Sequence, residues 1–195
     1  MNRGYADQHC SLARSLEVVG ERWTLLIVRD AFYGVRRFAD FVSHLSIPRA
    51  VLSDRLGRLV AACVLTRAGT ESRPEYELTD KGVALWPLIY SATMWGDEHY
   101  APRGPRRLFR HAEDGGPIDK LGRCETCSEL VPPDQIEISP GPGHSPKLDK
   151  DSVGIALREP HRLLEPLDLS PSRNTATTGQ SRRAAKAPRR ARAAP

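Results

Sequence analysis

The chain has 195 residues, enough for one compact domain and a small second one, with 29 basic and 24 acidic residues. It contains no run of the roughly 20 apolar residues that a membrane-spanning helix needs, and its N-terminal residues lack the apolar core of a secretory signal. We therefore expect a cytoplasmic protein with no membrane partner. Four cysteines, at positions 10, 63, 124 and 127, are too few and too unevenly spaced for a disulfide scaffold.

Positive charge is concentrated at the C-terminal end. Residues 172–195 contain seven basic and no acidic residues, which leaves 22 basic and 24 acidic residues in 1–171. A DNA-binding surface on the folded part must therefore be a local patch, whereas a basic tail adds only salt-dependent, sequence-independent affinity for DNA.

The apolar periodicity predicts three short helices in the first quarter of the chain. They lie at 11–19, with Ser11 as the N-cap, at 21–33 and at 37–45. The second is apolar enough to be a core helix, and the third has the spacing of a short amphipathic helix.

A fourth helix is predicted after a break at residues 46–48. Pro48 suits the first turn of a helix, because its missing N–H would be unpaired there anyway. The buried face of this helix is expected to contain Leu52, Leu56, Leu59, Val60 and Cys63. Two apolar-faced helices joined by a short break fit a helix-turn-helix, in which the second helix reads DNA.

A hairpin and a long helix are predicted next. Strand-like runs at 64–68 and 75–78 flank a polar turn at 69–74. Thr79 is expected to cap a helix over 80–97, in which Pro87 predicts a kink or local unwinding. The order helix, helix, hairpin, helix predicts a winged helix-turn-helix, mainly α with a small β-hairpin wing (α+β).

Four segments of the chain are informative together, in this order: CSLARSLEVVGERWTLLIVRDAFYG, RRFADFV, LSDRLGRLV and RPEYELTDKG. In sequence and in order they resemble the HxlR-type bacterial transcriptional regulators, a branch of the MarR-like winged-helix proteins. The resemblance implies that residues 10–103 form a DNA-binding and dimerisation domain. It also implies a transcriptional regulator rather than an enzyme, by family habit a repressor, with a small-molecule or electrophile effector as a candidate partner.

The resemblance further implies a homodimer held by the helices at 11–19 and 80–97. The aromatic residues of the second helix, Trp86, Tyr90 and Trp95, are compatible with such an interface. The alternative is that they close the core of the monomer. A two-fold dimer would present two reading helices about 34 Å apart, so the operator is expected to be an inverted repeat of double-stranded DNA.

The reading helix supplies most of the candidate DNA contacts. We expect Arg49 and Ser53 to meet base edges, because the arginine fork matches the guanine O6 and N7 acceptors. Pro48 and Ala50 would make shape or methyl contacts. Two further arginines, Arg55 and Arg58, either contact phosphates or pair with acids such as Asp54.

The remaining candidates flank the reading helix. Arg67 and Arg73 on the hairpin could approach a minor groove or its phosphates, and Arg36 and Arg37 could touch the DNA backbone. For each of these charges the alternative is a solvated surface residue.

Cys10 is the candidate for redox sensing. A thiol near a helix N-terminus can ionise more readily, and the family resemblance places a sensor of oxidants or electrophiles here in several members. The alternative is an unreactive cysteine packed at the dimer interface.

Residues 108–143 contain two or three short strand-like pieces, at 108–112, 119–124 and 135–139. They resemble a small zinc-ribbon-like extension that follows some domains of this family. Cys124 and Cys127 form a Cys-x-x-Cys pair, and His111 is the third candidate ligand, with His99 or His144 as the fourth. Residues 112–114, Ala-Glu-Asp, stand where another cysteine would be expected. No cofactor is required, and a degenerate, metal-free site is the alternative to a structural zinc.

The chain after residue 143 is predicted to be a disordered basic tail, although residues 151–171 could form a short docking helix. Two other functions remain open from the sequence. One is a thiol redox protein that uses the Cys-x-x-Cys pair, and the other is a winged-helix interaction module that does not bind DNA.

Overall fold

The computed structural model describes residue 5 and residues 8–169. The helices are α1 (Ser11–Val19), α2 (Thr24–Phe32), α3 (Phe38–Leu45), α4 (Arg49–Ala61), α5 (Asp80–Val83), α6 (Trp86–Tyr100) and α7 (Ser152–Ala156). The strands are β1 (Leu65–Thr70), β2 (Arg73–Leu78), β3 (Arg107–His111), β4 (Ile136–Pro140) and β5 (His161–Arg162). No helix in this part of the chain is both long and apolar enough to cross a bilayer.

The apolar helix α2 lies at the centre of the core, as its composition predicts. Ile27, Val28 and Phe32 are fully buried there and share one cluster with Phe41 of α3 and Leu56 of α4. Burial of each such side chain stabilises the fold by about 1.5–3 kcal/mol. The polar faces of α3 and α4 are thereby directed away from the core.

The predicted wing is present as an antiparallel hairpin. β1 pairs with β2 from Leu65 opposite Leu78 to Thr70 opposite Arg73, so the turn is only two residues long rather than the six expected. A short segment before α3 extends this sheet, and the Tyr76 N–H donates to the carbonyl of Arg36 at 2.8 Å. The described fold is therefore a mostly helical winged helix-turn-helix, which confirms the predicted class.

The helix predicted over 80–97 is two helices. Thr79 caps the first as expected, because its Oγ1 accepts from the Gly82 N–H at 3.1 Å, but that helix ends at Val83. The second begins at Trp86 and has Pro87 in its first turn. Proline has no N–H to donate and its ring clashes with the preceding turn, so the chain breaks here rather than bending.

The C-terminal extension is built on a second antiparallel sheet, with strand order β3-β4-β5. Two of the three strand-like pieces expected in 108–143 correspond to β3 and β4. The third, residues 119–124, contributes only isolated bridges, such as the one between Ile118 and Cys124.

Residues 144–169 differ from the disordered tail that the sequence suggests. They form α7, β5 and a short 3-10 turn, and Val153, Leu157 and Leu163 are buried. These buried apolar side chains fix the segment against the domain. Residues 170–195, the rest of the expected tail, lie outside the described part of the chain.

This segment is joined to α2 by backbone hydrogen bonds. The Leu164 N–H donates to the carbonyl of Phe32 at 2.8 Å, and the Leu167 N–H donates to that of Gly34 at 3.1 Å. Gly34 has φ 83°, and a Cβ there would lie 1.9 Å from the carbonyl oxygen of Glu165. Only glycine therefore permits this close approach.

The extension also packs on α6. Trp86 and Tyr90 form an aromatic cluster with Phe32 and Phe109, with ring centroids 5.0–6.0 Å apart. The Tyr90 hydroxyl lies 3.1 Å from the carbonyl oxygen of Ile118 and 3.0 Å from that of Asp119. Two of the three aromatic residues considered for the dimer interface are therefore core residues of the monomer.

Candidate nucleic-acid interface

The turn between α3 and α4 sets the direction of the reading helix. Ser46 ends α3 in the left-handed conformation, with φ 51° and ψ 34°, and Ile47 is buried. Pro48, with φ −59°, is the last residue before the helix, so α4 begins at Arg49. The fixed φ of proline and the anchored Ile47 side chain hold this three-residue connection in one geometry.

α4 presents one apolar and one polar face. Leu52, Leu56 and Leu59 are buried at the helical spacing expected from the sequence. The opposite face is exposed and polar or small, comprising Arg49, Ala50, Ser53, Asp54, Gly57 and Arg58. Because these residues are exposed, this face of the helix is open to a DNA groove.

The N-terminus of α4 has no side-chain cap. The first intrahelical bond is made by the Leu52 N–H, which donates to the carbonyl of Pro48 at 3.0 Å. The N–H groups of residues 49–51 have no partner within the described part of the protein, and such groups at a helix N-terminus attract phosphate.

Two of the candidate arginines are held within the protein. Arg36 forms an ion pair with Glu77, and its guanidinium also donates to the carbonyl of Leu164 at 3.3 Å. Arg55, with a side chain only 15% exposed, pairs with Glu21 at 3.0 Å and with Asp54 at 2.5 Å. The pairing with Asp54 is one of the two roles that the sequence left open for Arg55.

Three other arginines are largely exposed, and two of them form an ion pair. Arg58 pairs with Asp54 one helical turn earlier, at 3.1 Å, and Arg37 pairs with Glu75 at 3.2 Å, yet both side chains are 63% exposed. The guanidinium of Arg49 lies 5.2 Å from the ring centroid of Phe38. Such stacking orients a guanidinium without neutralising its charge.

The wing carries the remaining two arginines, Arg67 and Arg73. Both are exposed, and neither has an ion-pair partner among residues 8–169. Arg73 is the first residue after the two-residue turn, and its N–H donates to Thr70 Oγ1 at 3.2 Å. The wing therefore has one arginine near its tip and one farther along β1.

α1 and α6 expose apolar side chains that the monomer does not cover. Leu12 is 65% exposed and Trp95 is 57% exposed, and Leu16, Leu88 and Tyr100 are exposed as well. Among the described residues, Trp95 stacks on two rings of its own helix, with ring centroids 5.2 Å from His99 and 5.3 Å from Tyr100.

Two cysteines lie apart from the extension. Cys10, not Ser11, is the N-cap residue of α1, and it is exposed with no side-chain cap bond. Cys63 was expected in the core, but it lies just after α4 with φ 55° and is exposed. Its left-handed backbone ends the helix and turns its side chain away from the apolar face. The sensing role of Cys10 stays a prediction.

The Cys-x-x-Cys pair lies in a cluster of four side chains. His111, Asp114, Cys124 and Cys127 each offer a ligand atom, and these atoms lie within 4.8 Å of one another. The sequence had found three of the four. The fourth is Asp114 rather than His99 or His144, and its signal in the sequence was its position three residues after His111.

The cluster also perturbs its own ionisable groups. The Gly116 N–H lowers the pKa of the Asp114 carboxyl. Burial raises the pKa of the Cys124 thiol, but N–H groups of the Cys-x-x-Cys turn, including that of Thr126, bring the pKa below its usual value. Burial lowers the pKa of His111, while the Cys124 thiol and the Asp114 carboxylate raise it, and it ends above the ordinary value.

Comparison with known proteins gives consistent matches. A family model described as HxlR-like helix-turn-helix matches residues 18–103. A protein of Mycobacterium tuberculosis, named an uncharacterised HTH-type transcriptional regulator, is 43% identical over 142 residues, which cover 71% of this chain and 90% of that protein. The HTH-type regulator YvaP of Bacillus subtilis is 34% identical over 93 residues, 46% of this chain and 86% of that protein.

A solved structure supports the same conclusion. The crystal structure of PA1607, described as a candidate transcription factor, superposes with a TM-score of 0.56 at 36% identity. The match covers 66% of this chain and 94% of that chain. The mycobacterial match covers more of this chain than the family model, so it also extends into the C-terminal extension.

Proposed function

Because the chain belongs to the HxlR-like helix-turn-helix family and is a DNA-binding transcriptional regulator, we propose that it represses transcription as a homodimer bound to an inverted-repeat operator. The observation that carries this proposal is α4. It follows α3 after a three-residue turn, buries three leucines and leaves one polar face open beside the wing.

Arg49 and Ser53 are the residues that we propose read bases. They lie one turn apart on the exposed face of α4, in the N-terminal half that meets base edges in helix-turn-helix proteins. Pro48 and Ala50 flank Arg49 and limit how closely the groove approaches. The stacking of Arg49 on Phe38 supports this role, because an oriented guanidinium loses less freedom on binding guanine.

The other exposed arginines are proposed to contact phosphates. Arg67 and Arg73 extend from the wing, Arg58 lies farther along α4, and Arg37 precedes α3. Contacts to the DNA phosphates fix the register of a protein on DNA without selecting a sequence. Together with the uncapped N-terminus of α4, they form a local patch of positive charge. The folded part of the chain as a whole has a slightly negative net charge.

Arg36 and Arg55 are proposed to position these elements instead. Arg36 links the wing to the C-terminal segment through Glu77 and Leu164, and Arg55 links α4 to the segment before α2 through Glu21. Each pair would have to break before its arginine could bind a phosphate.

The exposed apolar faces of α1 and α6 support the homodimer. Leu12 and Leu16 on α1 and Leu88 and Trp95 on α6 are exposed although they are large and apolar. We propose that a second copy covers them. The two reading helices, α4 of each copy, would then lie about one turn of DNA apart, roughly 34 Å.

Binding to DNA tests the proposal directly. The full chain is titrated onto a duplex that contains the region upstream of its own gene, and onto a scrambled duplex of equal length and composition. We expect two chains per duplex, a footprint of two half-sites and a clear preference for the upstream region. Equal affinities for both duplexes would contradict sequence-specific regulation and favour an interaction module.

Repression and thiol chemistry have separate readouts. Expression of a reporter placed under the upstream region should rise when the gene for this chain is deleted, and a fall would identify an activator.

An insulin-reduction assay tests the other function that the sequence left open. Turnover in this assay would favour a thiol redox protein.

Cys10 is the proposed sensor of an oxidant or electrophile. It is exposed at the start of α1, so a modification there would act on the proposed dimer interface. We expect diamide to release the protein from its operator, a reducing thiol to restore binding, and the Cys10→Ser variant to be insensitive. A Cys63→Ser variant, which removes another exposed thiol, is the control and should respond like the wild type.

A further inference from the structure

Four potential metal ligands converge from two separate segments of the extension. His111 ends β3 and Asp114 lies in the turn after it, while Cys124 and Cys127 belong to a turn ten or more residues later. His111 and Cys124 are buried, whereas Asp114 and Cys127 reach the surface. Nothing in the DNA-binding function requires these four side chains to meet.

Three of the six distances between the ligand atoms fit a tetrahedral zinc site, and all six lie within 4.8 Å. His111 Nδ1 lies 3.3 Å from Asp114 Oδ2 and 3.5 Å from Cys127 Sγ, and Cys124 Sγ lies 3.4 Å from Asp114 Oδ2. In a tetrahedral site with Zn–S bonds of about 2.3 Å and Zn–N or Zn–O bonds of about 2.0–2.1 Å, neighbouring ligands lie about 3.3–3.8 Å apart.

We propose that His111, Asp114, Cys124 and Cys127 bind one Zn²⁺ ion. Two thiolates, an imidazole and a carboxylate are a donor set that suits zinc, and their three negative charges outweigh the two positive charges of the ion. Magnesium and calcium prefer oxygen ligands and would not select the two sulfurs. Four protein ligands leave no open position for a substrate, so the site is structural.

The backbone around the cluster is arranged to hold these ligands. The Gly116 N–H donates to Asp114 Oδ1 at 2.8 Å, which leaves Oδ2 facing His111. The Thr126 N–H points to Cys124 Sγ at 3.4 Å, a contact that stabilises a thiolate.

Gly116 marks how tightly the site is enclosed. A Cβ at this position would lie 2.5 Å from Cys124 Sγ and 2.9 Å from Asp114 Oδ1. Any side chain there would displace two of the four ligands. The glycine is therefore required by the cluster itself and not by its own backbone conformation.

Zinc would close the loop that connects β3 to β4. The loop includes Ile118 and Asp119, whose carbonyl groups receive the Tyr90 hydroxyl of α6. A metal that ties residue 111 to residue 127 would thereby fix the surface on which α6 packs. Its role would be to stabilise the extension rather than to contact DNA.

Metal content of the native protein is the first test. The full chain is produced without a polyhistidine tag, purified without chelators and analysed for metals by mass spectrometry. We expect one zinc per chain. Replacement of zinc by Co²⁺ under reducing conditions should give the intense visible bands of a tetrahedral site and a thiolate-to-cobalt charge-transfer band.

Thiol protection tests the ligand assignment without any substitution. In the zinc-loaded wild-type chain, Cys124 and Cys127 should resist alkylation while Cys10 and Cys63 react, and removal of zinc should expose all four. Equal reactivity of the four thiols before and after zinc removal would overturn the proposal.

Matched substitutions separate a ligand from its neighbour. Asp114→Asn should weaken zinc retention against a competing chelator at least about tenfold, and Cys127→Ser should weaken it further. Glu113→Gln, an exposed carboxylate next to Asp114, and Cys63→Ser should retain zinc as the wild type does.

Three results would overturn the zinc site. They are the absence of metal from the native protein and after incubation with Zn²⁺, retention in Asp114→Asn equal to that in Glu113→Gln, and a Cys124–Cys127 disulfide in protein prepared without oxygen. The first would leave a cluster joined by hydrogen bonds only.

Discussion

Polar side chains on the exposed face of the reading helix α4 differ from arginines of the C-terminal extension in whether they have a partner within the protein. On α4, Arg49 and Ser53 are exposed, and Arg49 makes no ion pair within residues 8–169. In the extension, Arg158 pairs with Asp149 at 3.0 Å and also donates to a backbone carbonyl, and Arg162 donates to the carbonyl of Asp134 at 2.8 Å.

This difference indicates which residues serve a partner and which serve the fold. A side chain without an intramolecular partner is available for a ligand, and its loss should leave stability nearly unchanged. A side chain or apolar group that joins two segments should matter for stability and not for DNA preference. Substitutions in each region can test whether the two roles are as separate as this comparison suggests.

The largest effect is expected from the core of the extension. Leu163 is 1% exposed, so Leu163→Ala should lower the free energy of unfolding by about 2–5 kcal/mol, through lost burial and the cavity left behind. Urea denaturation measures this change. Leu121→Ala, at a position 79% exposed, is the control and should change the free energy by less than about 0.5 kcal/mol.

The comparison predicts that the preference of Leu163→Ala for its operator is unchanged at temperatures where the variant is folded. If a folded Leu163→Ala variant lost its preference for the operator, the roles of the two regions would not be separate. The extension would then influence how the reading helix binds DNA.

Trp95→Ala should weaken the proposed dimer by about 2 kcal/mol or more, since large exposed aromatic residues are frequent hot spots of interfaces. Sedimentation velocity over a range of concentrations measures the dissociation constant. Leu148→Ala removes an apolar side chain that is 63% exposed elsewhere on the extension, and it should leave the dimer intact. Equal effects of the two substitutions would place the interface elsewhere.

Arg49→Ala should reduce affinity for the operator by about 1–3 kcal/mol and affinity for scrambled DNA much less, because a bidentate contact to guanine is lost. Arg73→Ala should reduce both affinities similarly and lower the salt dependence by about one counterion. Fluorescence titrations on both duplexes at several salt concentrations distinguish the two. Equal losses on both duplexes for Arg49→Ala would remove its base-reading role.

The smallest effect concerns Gly57, which is exposed in the middle of α4. A Cβ at this position would meet nothing within 4 Å, so Gly57→Ala should stabilise the helix by about 0.5–1 kcal/mol. Thermal unfolding measures the gain. A simultaneous loss of affinity for operator and scrambled DNA would indicate that the DNA backbone approaches α4 here, and a loss of stability would contradict the prediction.

Local patterns were sufficient to predict the winged helix-turn-helix. The bounds of α1 agree with the apolar spacing, and α4 begins one residue after the proline that was expected in its first turn. These elements depend on residues close together in the sequence, such as the leucines of α4. At Pro87 the sequence predicted a kink or local unwinding, and the structure has a complete break between two helices.

Long-range contacts could not be predicted in the same way. The place of residues 144–169 depends on backbone hydrogen bonds to Phe32 and Gly34, more than a hundred residues away, which leave no periodic signal. Asp114 was missed as part of the cluster because a cysteine was expected after His111. The exposure of Cys63 depends on a left-handed backbone that the apolar spacing of α4 does not reveal.

The Tyr90 hydroxyl has a consequence for how the molecule unfolds. It joins the middle of α6 to the loop between β3 and β4, whose amides at Ile118 and Asp119 are themselves hydrogen-bonded to the rest of the extension. Opening that loop removes a partner from α6, and fraying of α6 releases the loop. Amide hydrogen exchange in the two segments should therefore proceed at matching rates, as in a single cooperative unit.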